Sequence, residues 1–216
     1  MVTEVLDKPV SEAPDTAKRR QILDGARKGF LAHGFDGASM GEIARAAGVS
    51  KGTLYVYFDS KETLFEALTQ AERSSLAEAL FRLDEQDPDT RAVLRKLGIS
   101  FLEMMVRPEH VSSVRMVIGA ADKFPRFGQV FYESGPEVGC RRLGAYLDRQ
   151  VVAGRLAIDD TEVAAQHFLD LCASRIFKRL LFGATSDRPS ASEITRTVDA
   201  AIRVFFAAYG PGSRAQ

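Results

Sequence analysis

Only two cysteines, Cys140 and Cys172, occur among 216 residues. They are too few and too far apart for a disulfide framework or a CxxC metal site, which suits a reducing compartment. Both read as small buried hydrophobes. A run of about 18 apolar residues is also missing, so no membrane-spanning helix is expected. The first thirty residues lack the apolar core of a secretory signal, and the expected location is the cytoplasm, with no membrane partner. Net charge is absent, because 29 basic residues balance 29 acidic ones, and bulk electrostatics therefore announce no nucleic-acid partner. Nor is there a nucleophile elbow, a P-loop, a dinucleotide fingerprint or an HExxH. His110 and His167 have no nearby cysteine or repeated carboxylate spacing to make a metal site. No enzyme activity, metal or cofactor is expected.

What the chain does contain is 45% hydrophobic residues arranged almost throughout with helical spacing and without a useful alternating run, which predicts an all-α protein. Residues 1–15 carry two prolines and no sustained period, and are expected to be a disordered arm. Lys18, Arg19, Arg20, Arg27 and Lys28 then make a basic segment in which Asp24 is the only acid. Ile22, Ala26 and Phe30 form the stripe of a first helix, with Gly34 and Gly37 at its exit. Ser39 and Glu42 have capping-box spacing at the start of a short helix that should stop at Gly48. Ser50 caps another, Lys51 to about Tyr57, and Asp59 or Ser60 caps a longer helix running to about Leu83. Past Pro88, helices are expected between breaks at Pro108, Pro125, Gly135-Pro136 and Gly154. Two longer ones close the chain, Thr161 to about Phe182 and Ala191 to Tyr209.

Two short helices joined by a glycine-containing turn have the form of a helix-turn-helix, whose second helix enters the DNA major groove. Three features of "SKGTLYVYFDSK" favour that over an ordinary helical hairpin. Lys51 and Lys61 begin helices, where the dipole disfavours a cation unless a phosphate binds there too. Gly52 costs roughly 1 kcal/mol against alanine in a helix interior, and suits close approach to a base edge or phosphate. Tyr55 and Tyr57 lie off the line of Leu54 and Phe58, leaving rings for thymine methyls and hydroxyls for phosphates.

The block Ile22 to Leu68, "ILDGARKGFLAHGFDGASMGEIARAAGVSKGTLYVYFDSKETLFEAL", resembles the N-terminal DNA-binding domain of TetR-family transcriptional regulators. The resemblance implies that Thr53, Tyr57 and Lys61 contact phosphates, that Lys51, Gly52 and Tyr55 approach base edges, and that Ser39 reaches the backbone. Ser50, the cap, completes the DNA-facing set. Val56 stands where many members carry another aromatic residue. The resemblance further implies a three-helix domain at 16–62 and a larger helical regulatory and dimerisation domain at 63–210, followed by a flexible tail at 211–216. It also implies a homodimer on a pseudo-palindromic operator of double-stranded DNA, acting as a repressor. The stripe Ile194, Val198, Ile202 and Phe205 is the expected dimer interface.

Residues 115–156 are similar to the C-terminal part of a subgroup of that family associated with efflux-type regulators. Family members usually enclose a ligand among these helices, which implies release from DNA by an unidentified, largely apolar small-molecule effector. Candidate lining residues are Phe101, Met104, Met105, Met116, Phe124, Phe127, Phe131, Phe168 and Leu171, since methionine and aromatic side chains suit an adaptable apolar site. His110 and His167 can hydrogen-bond there, and Arg175 can pair with an acidic ligand. A constitutive or partner-controlled DNA binder without a small-molecule ligand is the alternative.

Overall fold

The computed structural model describes residues 14–212, and among them all regular structure is helical. The arm expected at 1–15 lies outside these residues except for Pro14 and Asp15, which already open the first helix. Of the tail expected at 211–216, positions 213–216 likewise lie outside. The chain divides into two compact units, 1–68 and 69–216, each described below by itself.

The first unit contains α1 (Pro14–Gly37), α2 (Met40–Ala47), α3 (Lys51–Tyr57) and the first two turns of α4 (Lys61–Leu80). Ile22, Ala26 and Phe30 are buried as their spacing predicts, whereas Leu31 is exposed. Within α1 the regular geometry breaks at Gly34, with φ 69° and ψ 179°, a conformation open to glycine and strained for other residues. That break folds Phe35 back onto Phe30 and Phe65, with ring centroids 5.1–5.9 Å apart, a cluster worth roughly 0.5–1.5 kcal/mol per pair beyond its burial. Gly25 and Gly29 bring α1 against α2 so closely that a Cβ on Gly25 would stand 2.4 Å from the Ala47 Cβ.

The second unit takes the rest of α4 and continues with α5 (Thr90–Met105), α6 (Pro108–Ala121), α7 (Pro125–Ser134), α8 (Pro136–Val152), α9 (Thr161–Ala173), α10 (Ile176–Leu181) and α11 (Ala191–Tyr209). Proline opens α6, α7 and α8, where its missing N–H costs nothing. Asp89 caps α5, accepting from the Ala92 amide at 2.9 Å, with Pro88 just before it. The expected extension of α4 to Leu83 is not made. Beyond Phe81 the link folds into Asx turns, with Asp84 and Asp87 accepting the amides of Gln86 and Asp89. The single helix expected from Thr161 to Phe182 is two, divided at Ser174-Arg175, where the Ser174 hydroxyl bonds back to the Leu171 carbonyl at 3.2 Å. Such back-bonding bends helices.

Helices α5, α9 and α11 pack on one another, and α8 packs on α9. Gly98 on α5 is the meeting point: a Cβ there would lie 2.8 Å from Val198 Cγ1, 3.1 Å from Cys172 Sγ and 3.3 Å from Phe168 Cζ. This packing corrects the expected dimer stripe. Ile194, Val198, Ile202 and Phe205 are all buried within the chain's own core, because α5 and α9 already cover the apolar face of α11.

Candidate functional site: a DNA-reading helix and an apolar cavity

Local hydrogen bonds fix the helix-turn-helix. The Ser39 hydroxyl accepts from the Glu42 amide at 3.3 Å, while the Glu42 carboxylate accepts from the Ser39 amide at 3.1 Å and hydroxyl at 2.7 Å. Those bonds hold the Glu42 carboxyl below its usual value, the side-chain bond contributing most. Gly48 ends α2 in the left-handed region, at φ 64° and ψ 35°, and its N–H reaches back to the last turn of α2. Ser50 then caps α3, its Oγ accepting from the Thr53 amide at 3.0 Å and lying 2.8 Å from Thr53 Oγ1. At the C-terminal end of α2, Gln21 donates to the Ala47 carbonyl at 2.6 Å and fastens it to α1.

On α3, Leu54 and Phe58 are buried. Lys51, Gly52, Tyr55 and Val56 are exposed, and their spacing of one, four and five places puts them on one face. The Lys51 ammonium sits 5.9 Å over the Tyr55 ring. A Cβ on Gly52 would meet nothing nearer than Ser50 Oγ at 3.8 Å, so nothing among the described residues requires glycine there. Thr53 and Tyr57 are half-buried, and Ser39 and Ser50 are exposed. Val56, 82% exposed, belongs to the same face, although the sequence marked it only as a departure from the family pattern and left it out of the DNA-facing set. Its place four residues after Gly52 is the signal that marks it.

Lys61 has an internal role that its position alone did not suggest. Its ammonium donates to the carbonyls of Asp36 at 3.2 Å and Ala38 at 3.0 Å, and lies 4.6 Å over the Phe35 ring. The carbonyl groups after the Gly34 break supply the negative partner that a lysine at a helix start needs.

The second unit holds a cavity of about 1060 Å³. Ala77, Val114 and Leu169 line it as buried side chains, with Phe101, Met104 and Phe131 half-buried. Its exposed rim includes Gln166, His167, Lys178, Phe182 and Val204. Of the candidate residues, Phe101, Met104, Met105, Phe131, His167 and Leu171 line the cavity, as does His110. Met116, Phe124, Phe127, Phe168 and Arg175 do not. Phe168 is wholly buried against Phe205 in the core, Phe124 stacks on Phe127 at 5.1 Å, and Arg175 is exposed at the start of α10. His167 is hydrogen-bonded through Nδ1 to the Tyr209 hydroxyl at 2.7 Å.

The arginine that reaches the cavity is Arg73, which the sequence reading missed. Thr69, Arg73 and Ala77 recur at a spacing of four and are all buried; a charge in that register is the signal. Cys140 is half-buried with its thiol on Gln166 Oε1 at 2.9 Å, and Cys172 is fully buried. Burial pushes the Cys172 thiol up to about 12. Among the described residues no cluster of three histidines, cysteines or carboxylates can hold a metal ion, and no helix is long and apolar enough to cross a membrane.

An exposed helix-turn-helix face and a separate helical unit with a cavity define a class of DNA-binding regulator, and comparison with known proteins gives the family. The family model described as "Bacterial regulatory proteins, tetR family" matches residues 22–68. The one described as "AefR-like transcriptional repressor, C-terminal domain" matches residues 92–211. The chain belongs to the TetR family and is a DNA-binding transcriptional regulator, not an enzyme. HTH-type transcriptional repressor Rv1474c of Mycobacterium tuberculosis is 29% identical over 84% of this chain and 92% of its own length. A TetR-family regulator from Mesorhizobium loti has a solved structure with a TM-score of 0.86 at 29% identity, covering 92% of this chain and 100% of that one. The flavonoid-responsive regulator FrrA is 34% identical with a TM-score of 0.75, covering 91% of this chain and 99% of its own.

Proposed function

We propose that this regulator is a ligand-released repressor: a homodimer holds a pseudo-palindromic operator through two copies of α3, and a small, largely apolar effector in the cavity weakens that hold. The cavity carries the reading. Its volume of about 1060 Å³ is at the upper end of the roughly 300–1,000 Å³ typical of small-molecule sites. A constitutive regulator calls for a packed second unit, and the cavity weighs against it. FrrA is named for a flavonoid response, and small-molecule response of that general kind is what the cavity supports here. Coupling between the two sites is reciprocal, so operator DNA weakens effector binding by the same factor.

Lys51, Gly52, Tyr55 and Val56 approach the bases in this reading, Val56 offering its methyls to thymine. Ser39, Ser50, Thr53 and Tyr57 approach the phosphates. Lys61 supports the site by holding the 36–38 segment, with any phosphate contact secondary. With the Ile194 stripe buried, the dimer surface falls to exposed apolar side chains of the last helices: Val163 on α9, Val204 on α11 and Phe182 after α10, which are 46%, 54% and 82% exposed.

The test uses Nile red, a neutral dye, and an operator fragment selected from genomic DNA. Wild type binds the dye, and Ala77→Phe, which projects a ring into the cavity, binds it more weakly while keeping its operator affinity. Undiminished dye binding in that variant contradicts the cavity reading.

A further inference from the structure

One buried charge in the cavity wall is out of keeping with an apolar effector; the other charged lining residues, Asp170 and Lys178, are exposed. Arg73 is only 5% exposed, and the partners of its guanidinium are neutral. Its Nη1 donates to His110 Nδ1 at 2.9 Å and its Nη2 to Ser113 Oγ at 3.1 Å, while Phe131 covers it with a ring centroid 4.1 Å from Cζ. The buried Nε has no hydrogen-bond partner. A guanidinium has donors only, so His110 Nδ1 accepts, and the neutral imidazole carries its hydrogen on Nε2.

The protonation states agree with that geometry. Burial, then the charges of Arg73 and Arg107, push His110 down to about 3, so its ring stays neutral. Burial brings Arg73 down to about 10, with the through-space pull of Glu72 opposing the shift, and the guanidinium is still charged near neutrality. An unpaired buried charge is destabilising, and an apolar side chain of similar volume commonly serves packing as well or better. A cation kept in this place is explained by an anion that arrives.

We propose that the effector has an apolar body and a single carboxylate head, and that Arg73, steadied by His110 and Ser113, receives the head while the body lies against Phe101, Met104 and Leu169. The proposal rests on the cavity reading above and narrows it. One N–H on each terminal nitrogen is used within the protein, which leaves donors for the planar, paired recognition of a carboxylate that arginine favours. Gly135 leaves room for the stem of Arg73, whose Cδ would stand 3.2 Å from a Cβ at that position.

The experiment displaces Nile red from the full-length protein near neutral pH with two matched pairs, decanoate against decanamide and 2-naphthoate against 2-naphthamide. Each pair keeps shape and removes charge. Wild type should bind the acid at least tenfold more tightly than the amide in one pair or both. Arg73→Met should abolish that preference and Arg73→Lys should restore part of it. The wild-type comparison stands by itself should the methionine variant fold poorly. Dye binding with amides competing as well as acids, or with no compound competing, overturns the carboxylate proposal and leaves the cavity reading intact. A preference for acids that survives in Arg73→Met also overturns it, pointing to Lys178 at the rim. Failure of the dye itself to bind sinks both.

Discussion

Replacing Gly25 by alanine tests the packing that presents α3. An added Cβ would lie 2.4 Å from the Ala47 Cβ and 2.6 Å from both its Cα and its nitrogen. Carbon atoms in contact normally stand about 3.5–4.0 Å apart, so α1 and α2 must part by about 1 Å or more. Two of the three opposing atoms are backbone, and no rotamer change relieves them. Overpacking costs about 1–3 kcal/mol, and its upper part, about 2–3 kcal/mol, applies where the opposing atoms are backbone, against about 1 kcal/mol gained by removing a helical glycine. The net loss is about 1–2 kcal/mol. Gly41 on α2 is the control, since a Cβ there meets nothing within 4 Å, and Gly41→Ala should gain up to about 1 kcal/mol. Hydrogen–deuterium exchange on peptides from α1 to α3, read beside urea unfolding, should show roughly five- to thirty-fold faster exchange through unfolding of this unit in Gly25→Ala. Operator affinity should fall with it, because α2 carries α3 through the Gly48 turn. If Gly25→Ala proves as stabilising as Gly41→Ala, the close crossing of α1 and α2 is wrong.

Other outcomes follow from the same contacts. Ile202→Asp places an unpaired carboxylate in the core of the second unit and should cost several kcal/mol, so circular dichroism should record lost helix; a well-folded monomer contradicts the burial. Val204→Asp should stay helical and shift the mass seen by light scattering from dimer to monomer, and an unshifted dimer moves the interface elsewhere. Ser50→Ala removes the cap of α3 and should lower stability by about 1 kcal/mol and weaken operator binding in a gel shift, whereas unaltered values for both count against the cap. For Glu42, whose folded pKa lies below the usual 4.5, the contribution to stability is complete above that value and lost as pH falls through the lowered one. The stability difference between wild type and Glu42→Gln should therefore shrink in acid, and a difference that ignores pH contradicts the capping-box account.

The helix-turn-helix is readable in sequence because its determinants are local. Ser39, Glu42, Gly48 and Ser50 each act within a few residues, and every one is used as its spacing suggests. Longer-range facts were not encoded that way. The stripe on α11 announces that Ile194, Val198, Ile202 and Phe205 are buried without saying by what, and the coverage comes from α5 across Gly98. Aromatic and methionine content does not separate a cavity wall from a core, which is why Phe101 and Phe131 face the cavity while Phe127 and Phe168 do not. Lys61 was read as a phosphate contact, through the helix dipole and the family resemblance, since its carbonyl partners come from the segment folded back by Gly34. Arg73 escaped notice because a solvent-facing register is the usual place for an arginine.

The most direct test of the account is fluorescence anisotropy on the selected operator and a scrambled duplex, at matched salt, for wild type, Lys51→Ala and Tyr55→Ala. Each substitution should weaken operator binding by about 1–3 kcal/mol, roughly five- to 150-fold. Loss on scrambled DNA should be smaller, because base contacts confer specificity while phosphate contacts act on all sequences. Operator affinities equal to wild type in both variants would contradict the assignment of α3 as the DNA-reading helix.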